Sequence, residues 1–355
     1  MVIAEQRGEF AQRIDHALQA FISGQRRTLS ELSADVDPLL DAATAVVSGG
    51  KRLRPAFCFW GWRAAGQPSD DRIVVAASSL ELLHASAIVH DDVMDNSDTR
   101  RGQPAAHRYF QLIGPRVGRS GSEVQFGVGS AILLGDLLLS WSDQQLRASG
   151  LPIESIARAM PYFDAMRSEV AAGQFLDLLA QASGQNSVER AMRVLRYKSA
   201  KYTVERPLHV GASLAGADES LITALSAYGV PLGEAFQLRD DVLGVFGDPE
   251  VTGKPAGDDV RQGKRTVLMS RAVELAGDDD RVLLESAIGD QGLTDDSVAD
   301  VLAAVERSGA LAYVEGLITE LSATALKALA EAPIRDEEAR TALSELADAA
   351  TRREV

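Results

Sequence analysis

The sequence predicts an all-α fold. Three observations lead there: apolar residues recur at helical spacing, no stretch alternates polar and apolar residues for more than a few positions, and the composition favours helix. Phe10, Ile14, Leu18 and Phe21 draw one apolar stripe along a helix. Aromatic residues make up only 5% of the chain, whereas Ala and Leu are abundant. Side chains of that kind lose little rotamer freedom in a helix, while β-branched and aromatic ones fill sheets.

The elements follow in order. Residues 72–95 read as a long helix, apolar almost all round and therefore buried. Residues 124–147, 154–182, 188–215 and 219–246 read as further helices. A C-terminal set follows at about 265–276, 279–289, 295–307, 309–331 and 335–352. Turn chemistry separates them at Gly49-Gly50, Gly66-Gln67-Pro68, the 114–122 stretch, Gly150-Leu151-Pro152, Gly184-Gln185-Asn186 and Asp248-Pro249. None of these breaks has the length or low complexity of an interdomain linker. The expectation is a single domain over 1–355, with enough of its 46% hydrophobic residues inside to make a large core.

The formal net charge is −15. An acidic surface repels nucleic acid, so none is expected as a partner, and any phosphate site must gather its Lys and Arg locally. Cys58, flanked by Phe57 and Phe59, is the only cysteine. It reads as a buried structural thiol in a reducing cytoplasm. The first ten residues carry acids and no apolar run, unlike a signal peptide. The longest apolar candidate span, Val124 to Trp141, contains Gln125 and Asp136 and falls short of the ~20 apolar residues a membrane crossing needs. A buried helix is expected there and no transmembrane segment.

Two acidic clusters stand out. The first, His90-Asp91-Asp92-Val93-Met94-Asp95, ends the helix of 72–95. Asp91 and Asp95 are one turn apart on one face, and Asp92 lies about 100° round from Asp91. Three carboxylates there repel one another and the helix dipole alike. A divalent cation would offset both, and hard Mg2+ prefers oxygen ligands. The second cluster is Asp240-Asp241, near the end of another apolar helix. Its i+4 place is Gly244, and Asp248 stands about 12 Å along the axis from Asp240 if the helix persists. Two such helices facing each other across a cavity would hold metal ions on a diphosphate. A solvated acidic helix end is the plainer alternative.

Basic residues answer the acids. Lys51, Arg52 and Arg54 follow the Gly49-Gly50 turn, Arg100 and Arg101 follow the first cluster, and Lys254 and Lys264 flank the second. Lys198 and Lys201 lie on a central helix beside Tyr197 and Tyr202. Cations in glycine turns can approach phosphate closely, and Arg grips it bidentately. His84 precedes Asp91 by two turns on the same face, which favours phosphate binding over core packing; His90 reads as structural.

These motifs together resemble the trans-prenyltransferases, the polyprenyl diphosphate synthases such as farnesyl and geranylgeranyl diphosphate synthase. The carriers are Asp-Asp-x-x-Asp with Arg100-Arg101-Gly102 downstream, Gly49-Gly50-Lys51-Arg52-Leu53-Arg54-Pro55, and Phe236-Gln237-x-x-Asp240-Asp241. Gly173-Gln174-Phe175-Leu176-Asp177 and Gly253-Lys254-Pro255 fit as well. The likeness spans about residues 40–270, a motif-bearing core, and the C-terminal helices at about 265–352 carry no motif. It implies the isoprenoid synthase type I fold, a helical bundle around a deep central cavity, and a homodimer. It implies that Asp91, Asp92, Asp95, Asp240 and Asp241 hold three Mg2+ on an allylic diphosphate (dimethylallyl, geranyl or farnesyl). Arg100, Lys198, Ser199, Gln237 and Lys254 match contacts to that diphosphate. Lys51, Arg54, His84 and Arg101 match the isopentenyl diphosphate site, and Lys264 an auxiliary contact. Two departures stand out: Gly244 where many members have Asp, and Ser199 where many have Thr.

In the implied reaction the allylic diphosphate leaves and the C3–C4 double bond of isopentenyl diphosphate attacks the carbocation. A proton is then lost from C2, with the departing diphosphate as acceptor. An apolar cavity must keep water from the cation. Cavity depth sets product length. Ser86 and Ala87, one turn below Asp91, are small where an aromatic makes a floor in short-chain members, and Leu83 and Leu80 lie deeper. The first motif also lacks the two-residue insertion of many bacterial farnesyl synthases. Geranylgeranyl diphosphate is therefore the expected product, with a longer chain (C25 or more) or farnesyl diphosphate as alternatives. Leu133, Leu134 or Leu137 could supply the floor. A terpene cyclase or head-to-head synthase shares the helical fold but has no need of the Lys-Arg-Leu-Arg-Pro turn. A non-catalytic partner subunit usually loses the aspartates present here.

Overall fold

The computed structural model describes residues 2–114, 122–184, 186–247 and 257–351. Almost all of these are helical, as the periodicity requires. The one sheet among them is a hairpin, β1 (Thr99–Arg100) antiparallel to β2 (Gln103–Pro104). Its turn residues Arg101 and Gly102 have φ of 52° and 73°, the left-handed pair that a two-residue hairpin turn demands. The described residues fall into two compact units, one within Met1–Arg63 and Gln67–Arg158, the other within Ala64–Gly66 and Ala159–Val355.

The first unit holds α1 (Val2–Leu29), α2 (Asp37–Val47), most of α3 (Leu53–Ala64), α4 (Asp71–Met94), α5 (Ala106–Ile113) and α6 (Glu123–Arg147). Asp70 caps α4, accepting a bond from the Arg72 N–H at 2.7 Å. Ile73, Ala77, Leu80 and Val89 bury different sides of α4, which packs along α6 and against α1. Phe21 of α1 meets Trp141 of α6 edge-on, with ring centroids 5.8 Å apart. By length and hydropathy alone both α4 and α6 could cross a bilayer, but 72% of the α4 window is buried within the fold. For α6 the share is 33%, and Phe126, Ile132 and Leu133 are exposed, so the buried helix expected at Val124–Trp141 is buried only along the face that packs on α4 and α5. Cys58 is fully buried, and burial pushes its thiol far up, as a structural role requires.

The second unit begins within α7 (Ile153–Ser183) and continues through α8 (Val188–Val194), a π-helix (Leu195–Glu205), α9 (Arg206–Leu214) and α10 (Glu219–Phe246). Then come α11 (Asp258–Arg261), α12 (Val267–Leu275), α13 (Asp278–Ala287), α14 (Asp295–Ser308), α15 (Ala310–Glu331) and α16 (Glu337–Thr351). Ser187, Asp218, Thr266 and Thr294 cap four of these helices through bonds from the N–H three residues on. The stretch 188–215 is helical but not uniform. The Arg206 N–H donates to the Lys201 carbonyl five residues back, the bond that defines a π-helix. α10 packs on the π-helix and on α15. Buried Tyr228 donates to the Leu343 carbonyl at 2.7 Å, and Arg239 forks onto Glu315 at 2.5 and 2.7 Å, which ties α10 to α16 and α15.

Candidate active site

In the first unit α4 stops where the acids begin to crowd. Asp95 is its C-cap, donating its N–H to the Asp91 carbonyl at 2.8 Å, and Asn96 turns the chain with φ of 53°. Asp91 and Asp95 are half-buried at the carbonyl end of the helix, and Asp92 is only 2% exposed. Arg100 reaches back from the hairpin: its Nε donates to Asp92 Oδ1 at 3.0 Å, and its Nη2 bonds the same oxygen. Burial nevertheless holds the Asp92 carboxyl above its ordinary range, and the Asp91 charge adds to the shift.

The hairpin also carries Arg101 to the glycine turn. Arg101 Nη1 donates to the Ser48 carbonyl at 2.9 Å. The φ of 98° at Gly50 favours glycine, and a Cβ there would stand 2.9 Å from Arg101 Nη2, so the guanidinium lies close against this turn. The three cations of that turn part company. Lys51 is exposed and Arg54 half-buried. Arg52 turns inward at 4% exposure and donates to Asp15 (2.9 and 2.5 Å), Glu81 (2.6 Å) and the Val47 carbonyl (2.7 Å). It is a strut joining α1, α2 and α4. His84 lies at the centre of the corner. Burial holds its imidazole well below the usual 6.5, and Arg54, Arg101, Arg100 and Arg52 each push the same way. Arg54, His84, Arg100, Arg101 and Asp92 are thus brought together. Ser86 and Leu83 are buried below them and Ala87 half-buried; Leu134 is buried, whereas Leu133 is 64% exposed and takes no part in this unit's interior.

In the second unit Gln237 donates to Asp241 Oδ1 at 2.9 Å, one turn along α10. The Asp241 carboxyl is pushed up to about 8, chiefly by burial, against the bond from Gln237 and with the carboxylates of Asp259 and Asp240 adding to it. Asp259, on α11, is 7% exposed and accepts a bond from Lys264 at 2.7 Å. It also fills the space beside Gly244, where a Cβ would stand 2.0 Å from its Oδ2. The place of the missing i+4 acid is therefore taken by a carboxylate from another element. The motif reading missed it, although Asp258-Asp259 is a further aspartate pair, close before Lys264. Asp248 and Lys254 lie outside the described residues. Lys198, with Ser199 beside it on the π-helix, donates to Asp177 Oδ2 at 2.7 Å.

The family model of the polyprenyl synthetases matches residues 36–305. The chain belongs to the polyprenyl synthetase family. This polyprenyl synthetase is 31% identical to the geranylfarnesyl diphosphate synthase of Aeropyrum pernix, over 94% of this chain and 97% of that one. It is 30% identical to the geranylgeranyl diphosphate synthase of Sulfolobus acidocaldarius, over 91% and 93%. The solved structure of geranylgeranyl pyrophosphate synthase from Corynebacterium glutamicum, complexed with isoprenyl diphosphate and magnesium, is similar with a TM-score of 0.93. The two are 39% identical, over 98% of this chain and 99% of that one. The all-α fold and the class of enzyme, a prenyltransferase, follow for this chain.

The donor set of this polyprenyl synthetase fits a hard divalent cation. It is made of carboxylate oxygens; Asp241 is buried beside the like charges of Asp259 and Asp240, whose repulsion a cation would relieve, whereas Asp92 is already answered by Arg100. Among the described residues no three His, Cys, Asp or Glu side chains converge to hold an ion unaided. Mg2+ typically takes one or two carboxylates and leaves its remaining positions to water and substrate oxygens.

Proposed function

We propose that this polyprenyl synthetase uses Mg2+ to condense an allylic diphosphate head to tail with isopentenyl diphosphate, ending at geranylgeranyl diphosphate. The observation that carries the reading is the corner of the first unit. There Asp92 lies under Arg100, and Arg54 and Arg101 surround a neutral His84. A merely solvated acidic helix end has no use for guanidinium groups gathered beside it in a chain of net charge −15. The C. glutamicum structure, with isoprenyl diphosphate and magnesium bound, supports the same chemistry.

Asp91, Asp92, Asp95, Asp240 and Asp241 would hold the metal, three ions with substrate bound. Bound Mg2+ supplies Lewis-acid stabilisation of the charge on the leaving diphosphate. Arg100, Lys198, Ser199, Gln237 and Lys254 would hold the allylic diphosphate. Lys51, Arg54, Arg101 and neutral His84 would hold isopentenyl diphosphate, and Lys264 would add positive charge while anchoring Asp259. Preorganised cations of this kind stabilise charge as it develops without reorganising. The apolar face of Leu83, Ser86 and Ala87 would shield the allylic cation from water until the isopentenyl double bond attacks it. The departing diphosphate would then take the C2 proton. The whole chain would act as one synthase domain, as a cytoplasmic homodimer.

Incubation of purified enzyme with farnesyl and isopentenyl diphosphates should give geranylgeranyl diphosphate, and turnover should vanish in EDTA and return with Mg2+. Ser86→Phe should shorten the product by at least one isoprene unit. Farnesyl diphosphate as sole end product of the unaltered enzyme would refute the open floor at Ser86. The A. pernix relative makes a C25 product the alternative to watch for. A lack of turnover with every primer, rescued by a partner chain, would reassign the chain as a non-catalytic subunit.

A further inference from the structure

Lys198 and Ser199 stand in a π-helix of 11 residues. Such helices are rare and mostly single-turn bulges. They are also wider than an α-helix, so one can lie between neighbours only where backbones come unusually close. Glycines of two helices provide that approach. A Cβ on Gly173 of α7 would stand 2.5 Å from the Lys198 backbone nitrogen and 2.8 Å from its Cα. On α10, a Cβ on Gly233 would stand 2.5 Å from the Ala200 carbonyl oxygen, and one on Gly229 3.0 Å from the Glu205 Cα. In each case the obstacle is backbone, which cannot swing aside as a side chain can. Gly229 and Gly233 are one turn apart and present a single face, with Pro231 between them in α10. Asp177, one turn after Gly173, accepts the Lys198 ammonium at 2.7 Å. Thus α7 holds Lys198 twice, by its backbone at Gly173 and by its side chain at Asp177.

We propose that Gly173 and Gly233 are positioning residues that clamp the π-helix and so fix where Lys198 points. Rewinding the segment as an α-helix would rotate each residue relative to the next by roughly 20° more. The ammonium would leave its place without any change in its chemistry. The proposal rests on the reading of Lys198 as an allylic diphosphate contact.

The test uses Gly173→Ala, Gly233→Ala, Lys198→Ala and the two glycine variants combined with Lys198→Ala, each assayed with the full-length enzyme. Folding is followed by circular dichroism and thermal melting. Each glycine variant should keep its helical content yet lose at least tenfold in kcat/KM for the allylic diphosphate, with KM for isopentenyl diphosphate within about twofold of the unaltered enzyme. In the Lys198→Ala background the same glycine change should add less than about twofold, because a group acting through Lys198 has nothing further to lose. Equal losses in both backgrounds, or full activity in the glycine variants, would overturn the clamp. Should Lys198→Ala itself leave kcat/KM for the allylic diphosphate unchanged, the assigned role of Lys198 fails, and the clamp with it. Gly229→Ala, with its looser 3.0 Å approach, should show a smaller loss of the same kind, and it keeps the test available if the tighter variants do not fold.

Discussion

At Asp241 burial and charge act in the same direction, and the consequence is a pH dependence with a definite sign. The carboxyl is held at about 8 instead of its usual 3.8, so the folded chain takes up a proton that the unfolded chain releases. Its contribution to stability is fully present below 3.8 and is lost as pH rises through about 8. In metal-free buffer the melting temperature of the unaltered enzyme, relative to Asp241→Asn, should fall steadily between those limits and level off above them. Metal binding with diphosphate should release protons below pH 8 in the unaltered enzyme, and fewer in Asp241→Asn, readable by titration calorimetry in buffers of different ionisation enthalpy. The aspartates were legible as residues because their spacing alone predicts crowding. The cations were legible only as a group. Composition gives Lys51, Arg52 and Arg54 equal standing, the family resemblance singles out Lys51 and Arg54, and burial against Asp15 and Glu81 shows what Arg52 does instead.

Single elements carry the next level of specificity. The helices were legible wherever their apolar stripes ran for several turns, including the five at the C-terminal end. α2, α3 and α5 are shorter and were not resolved by periodicity, and neither was the hairpin that holds Arg100 and Arg101. The sequence reads the π-helix as ordinary helix, because its 11 residues are polar on average, lie between two α-helices and hold too few apolar positions to define a period of their own. Gly244 shows how one element makes room for another. Asp259 of α11 lies where a side chain on α10 would go, so Gly244→Ala should destabilise the protein by about 1–3 kcal/mol through overpacking. It should also weaken the dependence of turnover on Mg2+. Gly244→Asp combined with Asp259→Ala moves the carboxylate back to α10 and should recover more activity than Gly244→Asp alone. Denaturant unfolding and turnover against Mg2+ concentration check both statements.

On the scale of the whole molecule, the proposed chemistry requires the two aspartate motifs to serve one diphosphate. Asp91→Ala and Asp240→Ala should then each lower kcat by about a hundredfold or more, as removal of a charge-stabilising group does. The double variant should be no more than about tenfold worse than the poorer single one, because groups that act as a unit are not additive. Fully multiplicative losses in kcat would show that the two motifs act independently and would overturn their action as a unit. The sequence by itself determined the helical class, the acidic motifs and the family, since these depend on periodicity and on short spacings along one chain. Only the tertiary structure decided that Arg52 is a strut, that burial and nearby guanidinium groups hold His84 below its usual range, that the Asp259 carboxylate lies against Gly244, and that glycines of α7 and α10 close on the π-helix. Each of these is a meeting of residues distant in sequence. Its energy comes from desolvation and close approach, which exist only once the chain has brought those residues together.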